Sequence, residues 1–262
     1  GRVFGGHTRS DGFTENRDFE TFQTAAEGTR RLEGGHLRAL YTFLGQRFGA
    51  QNFYGTFPSW EATKNHGLLL SAVLDRGPWL GLPGRLDVTW RRHDDHFVLF
   101  RDRPYLYENR HTNTTTQLKA LSVLHQARGT TLTGSLEVAQ DELDSARLGD
   151  HRSDRIGGAA EWLQEWGARF TFQASLRGDH HSQWGRQWTP SMGLTWHWNP
   201  ALKFRTAWGR AFRAPSFTEL YYTSPAQRGN AHLRPERSHG VEVGLDAYPG
   251  TSTLLTFTLF RR

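Results

Sequence analysis

Apolar and polar residues alternate along segments of roughly ten residues through most of the chain. In segment 131–138, Leu132, Leu136 and Val138 share one parity, meaning that all three stand at even-numbered positions. Polar residues occupy most of the positions between them. A strand sends successive side chains to opposite faces, so each segment predicts a strand with one apolar and one polar face. The pattern predicts thirteen strands, near residues 1–7, 19–28, 35–47, 61–74, 85–100, 113–126, 130–141, 153–163, 168–179, 188–198, 202–212, 237–247 and 252–262.

The connections between these strands alternate in length. Short turns rich in Gly, Pro or Asn are predicted near 128–129, 165–167, 199–201 and 248–250, with a longer member at 76–84. Polar loops are predicted near 8–18, 48–60, 101–112, 142–152, 180–187 and 213–236. Tight turns on one rim and long loops on the other are typical of an outer-membrane β-barrel whose long loops face the cell exterior. The sequence therefore predicts an all-β antiparallel meander.

The register assigns a lipid side and a lumen side to the predicted wall. A soluble sandwich would instead bury the apolar set against a second sheet, but thirteen strands in one meander exceed the usual sandwich. The predicted lipid-facing residues are Leu37, Ala39, Tyr41, Phe43, Leu68, Leu70, Ala72, Leu74, Leu86, Val88, Trp90, Phe204, Thr206, Trp208, Val241, Val243, Leu245, Leu255, Phe257 and Leu259. The predicted lumen-facing residues are Arg38, Thr42, Asp87, Thr89, Lys203, Arg205, Glu242 and Asp246.

The amino-acid composition is compatible with an outer-membrane barrel. Hydrophobic content of 36% is low, but a barrel needs apolar residues only at alternate positions. Aromatics reach 13%, with 10 Trp, as expected where a barrel wall meets lipid head groups. There is no Cys, so no disulfide framework exists. The net charge of +6 comes from basic residues interspersed with acidic ones, so we expect no nucleic acid partner. Arg-rich loops are instead expected to contact water or anionic lipopolysaccharide at the ends of the barrel.

Candidate catalytic and metal-binding clusters are weak. In His93-Asp94-Asp95-His96, alternate residues face opposite sides, so the four side chains cannot converge on one ion without a bulge. An acid–base pair of an outer-membrane hydrolase stays open as an alternative. The clusters at 150–151 and 179–181 are predicted to lie in loops. We predict no cofactor, no metal site and no enzymatic activity.

The strongest local signal is W-G-R-A-F-R-A-P-S-F-T-E-L-Y-Y at 208–222, followed by G-N-A-H-L-R-P-E-R-S at 229–238. This run resembles a segment of TonB-dependent outer-membrane receptors, with Ala231 where the family commonly has Pro. Stretches 48–61, 92–102 and 108–111 resemble receptors of the vitamin B12 (cobalamin) type. The positions that match the family pattern are Arg210, Phe212, Arg213, Ala214, Pro215, Ser216, Phe217, Glu219, Leu220, Tyr221, Gly229, Asn230, Leu233, Pro235 and Glu236.

The resemblance implies more than residues 1–262 contain. It implies the outer membrane of a Gram-negative bacterium, and a barrel of roughly twenty-two strands around a plug domain. Residues 1–262 would then be a fragment of the barrel domain, partnered by its own plug, by further strands, by the TonB energising complex and by outer-membrane lipid. The implied function is energised import of a scarce large ligand, a cobalamin or related corrinoid; an iron chelate, in a siderophore or haem receptor, is the alternative.

Loop aromatics are the ligand-binding candidates. Large rings can pack flat against a macrocycle while their polar tips fix its orientation. The candidates are Phe53, Tyr54, Trp60, Tyr105, Tyr107, Tyr221 and Tyr222.

Overall fold

A computed structural model describes residues 1–76, 82–224 and 227–262. The strands are β1 (Arg2–Ser10), β2 (Phe19–Leu32), β3 (Gly35–Gly49), β4 (Trp60–Leu74), β5 (Gly84–Val98), β6 (Glu108–Ala127), β7 (Thr130–Ser145), β8 (His151–Trp166), β9 (Phe170–His181), β10 (Gly185–Asn199), β11 (Leu202–Arg213), β12 (Thr223–Ser224), β13 (Gln227–Arg228), β14 (Glu236–Ala247) and β15 (Leu255–Arg261). A five-residue helix, α1 (Phe217–Tyr221), lies in the long loop between β11 and β14, and a 3-10 turn spans Pro104–Leu106.

The fold is a meander of antiparallel strands, as predicted. Thirteen strands form one sheet in chain order from β1 to β15, and β12 and β13 form a separate antiparallel pair within the long loop. Within the described residues, β1 pairs only with β2, and β15 only with β14, so the sheet is open. The helices in this part of the chain are too short to cross a bilayer.

The predicted apolar face is confirmed by the register, because residues directly opposite each other on adjacent strands share a face. Leu70 lies opposite Ala39 on β3 and Val88 on β5, and Val88 lies opposite Leu118 on β6. At the far end of the sheet, Leu245 opposes both Phe204 and Phe257. One apolar surface therefore continues across the sheet.

Aromatic rings border this apolar face at both ends. Near the tight turns, the rings of Phe170 and Trp196 stack with centroids 5.6 Å apart, and Trp198 and Phe204 contact Trp196. Towards the long loops lie Phe22, Tyr41, Phe43, His66 and Trp90, joined by successive ring contacts. Two aromatic bands around an apolar zone are characteristic of a barrel wall in lipid.

The opposite face is polar and carries linked ion pairs. Glu137 is 7% exposed and accepts hydrogen bonds from Arg155 (2.9 Å) and Arg177 (3.3 Å), and Arg177 also donates to Asp179 (2.6 Å). Further along, Arg205 donates to Glu242 at 2.7 Å, and Lys203 pairs with Asp246 at 2.8 Å. The predicted lumen side is thus lined by charge pairs.

Several strands extend further towards the long loops than the sequence indicated, whereas β5 ends at Val98, before the predicted residue 100. The prediction that 179–181 and His151 lie in loops is wrong: Asp179 to His181 end β9, and His151 begins β8. Likewise β6 begins at Glu108, within the predicted loop 101–112. Here both faces are polar, so the alternation disappears although the backbones still pair. Neither α1 nor the β12–β13 pair has a periodic signal in the sequence.

The tight turns follow local backbone chemistry. Arg128 and Gly129, between β6 and β7, both adopt positive φ (37° and 80°), as a two-residue hairpin turn requires. The predicted connection at 76–84 includes residues 77–81, which lie outside the described residues.

Candidate ligand-binding site

Three loops above the lumen are joined to each other by hydrogen bonds. Asn16 donates to the Ser59 carbonyl (2.8 Å), and Arg101 donates to Asn16 Oδ1 (2.9 Å) and to Asp18 Oδ2 (2.9 Å). Ser59 is fully buried beneath this contact. The hydrogen bond from Arg101 lowers the pKa of the Asp18 carboxyl below its ordinary value. The loops 11–18, 50–59 and 99–107 therefore form one platform.

An aromatic row crosses this platform; it comprises Phe53, Tyr54, Phe97, Tyr107 and Tyr222. Ring centroids are 4.8 Å apart from Phe53 to Tyr54, 5.0 Å from Tyr54 to Phe97 and 6.3 Å from Phe97 to Tyr107, each in an edge-to-face arrangement. The hydroxyls of Tyr107 and Tyr222 lie 3.4 Å apart, which connects the row to the long loop. Four of the sequence candidates are thus brought together.

Phe97 joins the row and is missing from the sequence candidates. It lies on β5 with the same parity as Asp87 and Thr89, which is the lumen face. That parity, together with a position at the loop end of a strand, was the signal in the sequence that could have identified it.

Two tyrosines in the row have altered acidity. Burial, followed by the hydrogen bond to Glu61, raises the pKa of the Tyr54 hydroxyl. The hydrogen bond with Tyr222, followed by burial, raises the pKa of the Tyr107 hydroxyl. Both phenols therefore stay protonated at neutral pH. The Tyr54 hydroxyl donates its proton to Glu61, so its oxygen is left to accept a hydrogen bond, and one proton of the Tyr107–Tyr222 pair joins the two hydroxyls. The Arg147 guanidinium lies 4.5 Å from the centroid of the Tyr107 ring, a cation–π contact.

The remaining candidates lie outside the row. Trp60 lies opposite Gly49 and Val98 on the outward face of the sheet, and the centroids of its ring and the His96 ring are 5.6 Å apart. Tyr105 is 81% exposed on the 3-10 turn. Tyr221 stacks on His151, and its hydroxyl accepts a hydrogen bond from Gln183 at 3.2 Å.

The motif around 213–236 folds into a clamp on the long loop. Arg213, at the end of β11, donates to Glu219 and Glu236, with distances of 2.9 Å to each. Ser216 and Glu219 form a reciprocal capping box that begins α1. The hydrogen bonds from Arg213 and then Ser216 lower the pKa of the Glu219 carboxyl to about 2. The clamp thus closes the base of the loop.

Glycine is required where the loop returns across α1. A Cβ at Gly229 would lie 2.8 Å from the Leu220 backbone, and Leu220 is itself only 5% exposed. The next amide, that of Asn230, donates to the Glu219 carbonyl at 3.0 Å. The motif residues therefore fix the shape of this loop.

The histidine–aspartate cluster on β5 divides between the two faces. His93 bonds to the Asn65 amide on the lumen side (2.7 Å), whereas Asp94 accepts hydrogen bonds from Arg92 and Thr112 on the outward side. In the described part of the chain, no cluster of three or more His, Asp or Glu side chains is arranged to hold a metal ion.

Residues 4–262 match the family described as "TonB dependent receptor-like, beta-barrel". The chain belongs to this family. It is therefore an outer-membrane protein of a Gram-negative bacterium, and the match to receptors confirms the prediction that the chain is not an enzyme.

Relatives and solved structures agree with the family. The chain is 37% identical over 78 residues to the vitamin B12 transporter BtuB of Vibrio vulnificus (strain YJ016), which is 30% of this chain and 12% of the transporter. The hemophore receptor HasR of Serratia marcescens superposes with a TM-score of 0.75 at 15% identity, over 93% of this chain and 45% of the receptor. The siderophore receptor PirA of Pseudomonas aeruginosa gives 0.71 at 16% identity, over 98% and 50%. The chain spans about half the length of the solved receptors, and its superposition on them confirms the predicted fold as part of a barrel wall.

Proposed function

We propose that this chain is part of the wall of an active-transport receptor that captures a cobalamin or a related corrinoid. The observation that carries the proposal is the aromatic row, which places exposed aromatic surface and phenol oxygens at the mouth of a polar lumen. A corrinoid is a large ring with hydrogen-bonding groups at its edge, so it matches both features of the row. The 37% sequence identity with a vitamin B12 transporter over 78 residues supports this ligand over other large ones.

The platform lowers the cost of capture. Arg101, Asn16 and Asp18 hold the three loops together before any ligand arrives. A pre-ordered surface loses less conformational entropy on binding than free loops would. No bond is made or broken in this step, so affinity alone determines capture.

Import through the lumen is also part of the proposal. The ion-pair network around Glu137 offers hydrogen-bonding partners to a plug domain inside the closed barrel. Displacement of that plug by the TonB energising complex would open a path for the ligand. Lipid and lipopolysaccharide would surround the outward face.

A siderophore or haem receptor is the second candidate. Its support is the similarity to HasR and PirA, which at 15–16% identity concerns the fold alone. The lumen mouth weighs against a strongly anionic chelate, because Glu61 and Asp95 face it from neighbouring strands. A hydrolase that uses His93, Asp95 and His96 has no support from the family match.

The experiment is ligand binding by the full-length receptor in outer-membrane vesicles. We expect saturable binding of cyanocobalamin, and weaker binding in Phe97→Leu, because the row loses its central ring. Phe13→Leu is the matched control, since Phe13 is a fully exposed ring in the loop 11–18. Binding of haem or a ferric siderophore without any binding of cyanocobalamin would refute the proposal.

A further inference from the structure

A cavity of about 390 Å³ lies between the lumen face of the wall and the long loop, and we call it the chamber. Its walls come from β6 to β9, and its roof comes from the segment 214–218, at the start of α1. Side chains that matter for its chemistry are His111, Asn113, Asp141, Arg155, Trp184 and Phe217.

Polar groups in the chamber are held in fixed orientations. The Asp141 carboxylate accepts a hydrogen bond from Thr115 at 2.7 Å, and Arg155 donates to Glu137 at 2.9 Å. His111 is held between Ser145 (2.6 Å) and the amide of Asn109 (2.5 Å). Ordered donors and acceptors of this kind give a site its specificity.

Aromatic rings complete the lining. Trp184 is stacked on His181 with centroids 4.2 Å apart, which fixes the ring, and Phe217 contributes from the roof. Aromatic faces pack against the C–H surface of a sugar, while carboxylate, amide and guanidinium groups bind its hydroxyls. The chamber therefore suits a hydroxyl-bearing ligand.

Size limits what can enter. Ligand pockets range from about 300 to 1,000 Å³, so the chamber is at the small end. A complete corrinoid is too large for it, but the nucleotide tail of cobalamin, a ribose phosphate with its base, is compact and rich in oxygen atoms.

The adjacent residues Tyr221 and Tyr222 connect the chamber to the aromatic row. Tyr221 stacks on His151, whose ring also stacks on Phe217 of the chamber roof with centroids 6.0 Å apart, and Tyr222 reaches the Tyr107 hydroxyl in the row. A ligand with a broad ring and a short pendant tail could therefore occupy both sites at once.

We propose that the chamber is a subsite for the nucleotide tail of a corrinoid, while the aromatic row receives the ring. This inference rests on the proposed function. It assigns Asp141 and Asn113 to recognition of the tail, with the Asp141 carboxylate accepting from ribose hydroxyls and the Asn113 amide donating to tail oxygens.

The test compares cyanocobalamin with cobinamide, which has the same ring but no nucleotide, on the full-length receptor. In Asp141→Asn and Asn113→Ala we expect the Kd for cyanocobalamin to rise roughly tenfold, the effect of a lost hydrogen bond to a charged or well-placed group. The Kd for cobinamide should stay close to the wild-type value, which also shows that the variants fold. Thr116→Ala, on the outward face of β6, is the matched control.

The outcomes separate the two proposals. Equal weakening of both corrinoids, or no change for either, would overturn the subsite while leaving corrinoid capture intact. A wild-type receptor that binds neither corrinoid would overturn the proposed function, and the subsite with it.

Discussion

The imidazole of His151 lies flat on the phenol ring of Tyr221, with centroids 3.5 Å apart and planes inclined by 6°. His151 begins β8 and Tyr221 ends α1, so this stack fastens the long loop across the lumen mouth to a distant strand. His151 is itself oriented by a 2.7 Å hydrogen bond between its Nε2 and the Leu148 carbonyl.

Replacing His151 with Ala should release α1. A stacked pair contributes about 0.5–1.5 kcal/mol, so the open population should increase roughly two- to tenfold. Limited proteolysis of the intact receptor, with cuts mapped to 214–235, measures that increase. His197→Ala, at the opposite end of the wall, is the control, and equal cleavage in both variants would contradict a role for the stack.

Arg213→Met should loosen the base of the same loop. The substitution keeps an unbranched apolar stem but leaves the carboxylates of Glu219 and Glu236 side by side without their shared cation. Hydrogen exchange in 214–235 should accelerate relative to wild type. Arg234 is an exposed arginine of the same loop, so the Arg234→Met receptor should exchange at the wild-type rate. Faster exchange in both variants would show that loss of any positive charge loosens the loop, which would contradict a specific role for Arg213.

The clamp should weaken in acid because the pKa of Glu219 is lowered from 4.5 to about 2. Its stabilising contribution is complete above 4.5 and is lost as pH falls through the folded-state pKa. Pepsin cleavage in the loop should therefore increase as the pH falls towards about 2, relative to a Glu219→Gln receptor at each pH. A constant ratio between the two proteins would exclude this carboxylate as the titrating group.

Two adjacent residues should respond oppositely to the same change. Val88 lies on the apolar face between Leu70 and Leu118, whereas Thr89 lies on the polar face. Val88→Arg should cost about 2–4 kcal/mol if it lies near the bilayer midplane, and should reduce the folded receptor in outer membranes. Thr89→Arg should be tolerated, as judged by heat-modifiable mobility in gels. Equal loss in both variants would contradict the assignment of the faces.

The strand pattern was largely predictable from sequence, and the site only in part. The parity of Leu70 and Asp87 gave their faces correctly because side-chain direction along a strand is local. The predicted strand ends were wrong at Glu108 and His181, since polar residues on both faces remove the alternation while backbone pairing continues. Among the loop aromatics, residue type predicted candidates but could not separate Tyr107, in the row, from the exposed Tyr105.

By itself, the sequence determined the meander, its two faces and the family, because alternation and short motifs are properties of neighbouring residues. Only the tertiary structure decided which loops meet. Tyr107 and Tyr222 are 115 positions apart, and their contact depends on the path of every strand between them and on the Arg213 clamp. Such a meeting is set by the accumulated register of the sheet, which no single segment encodes.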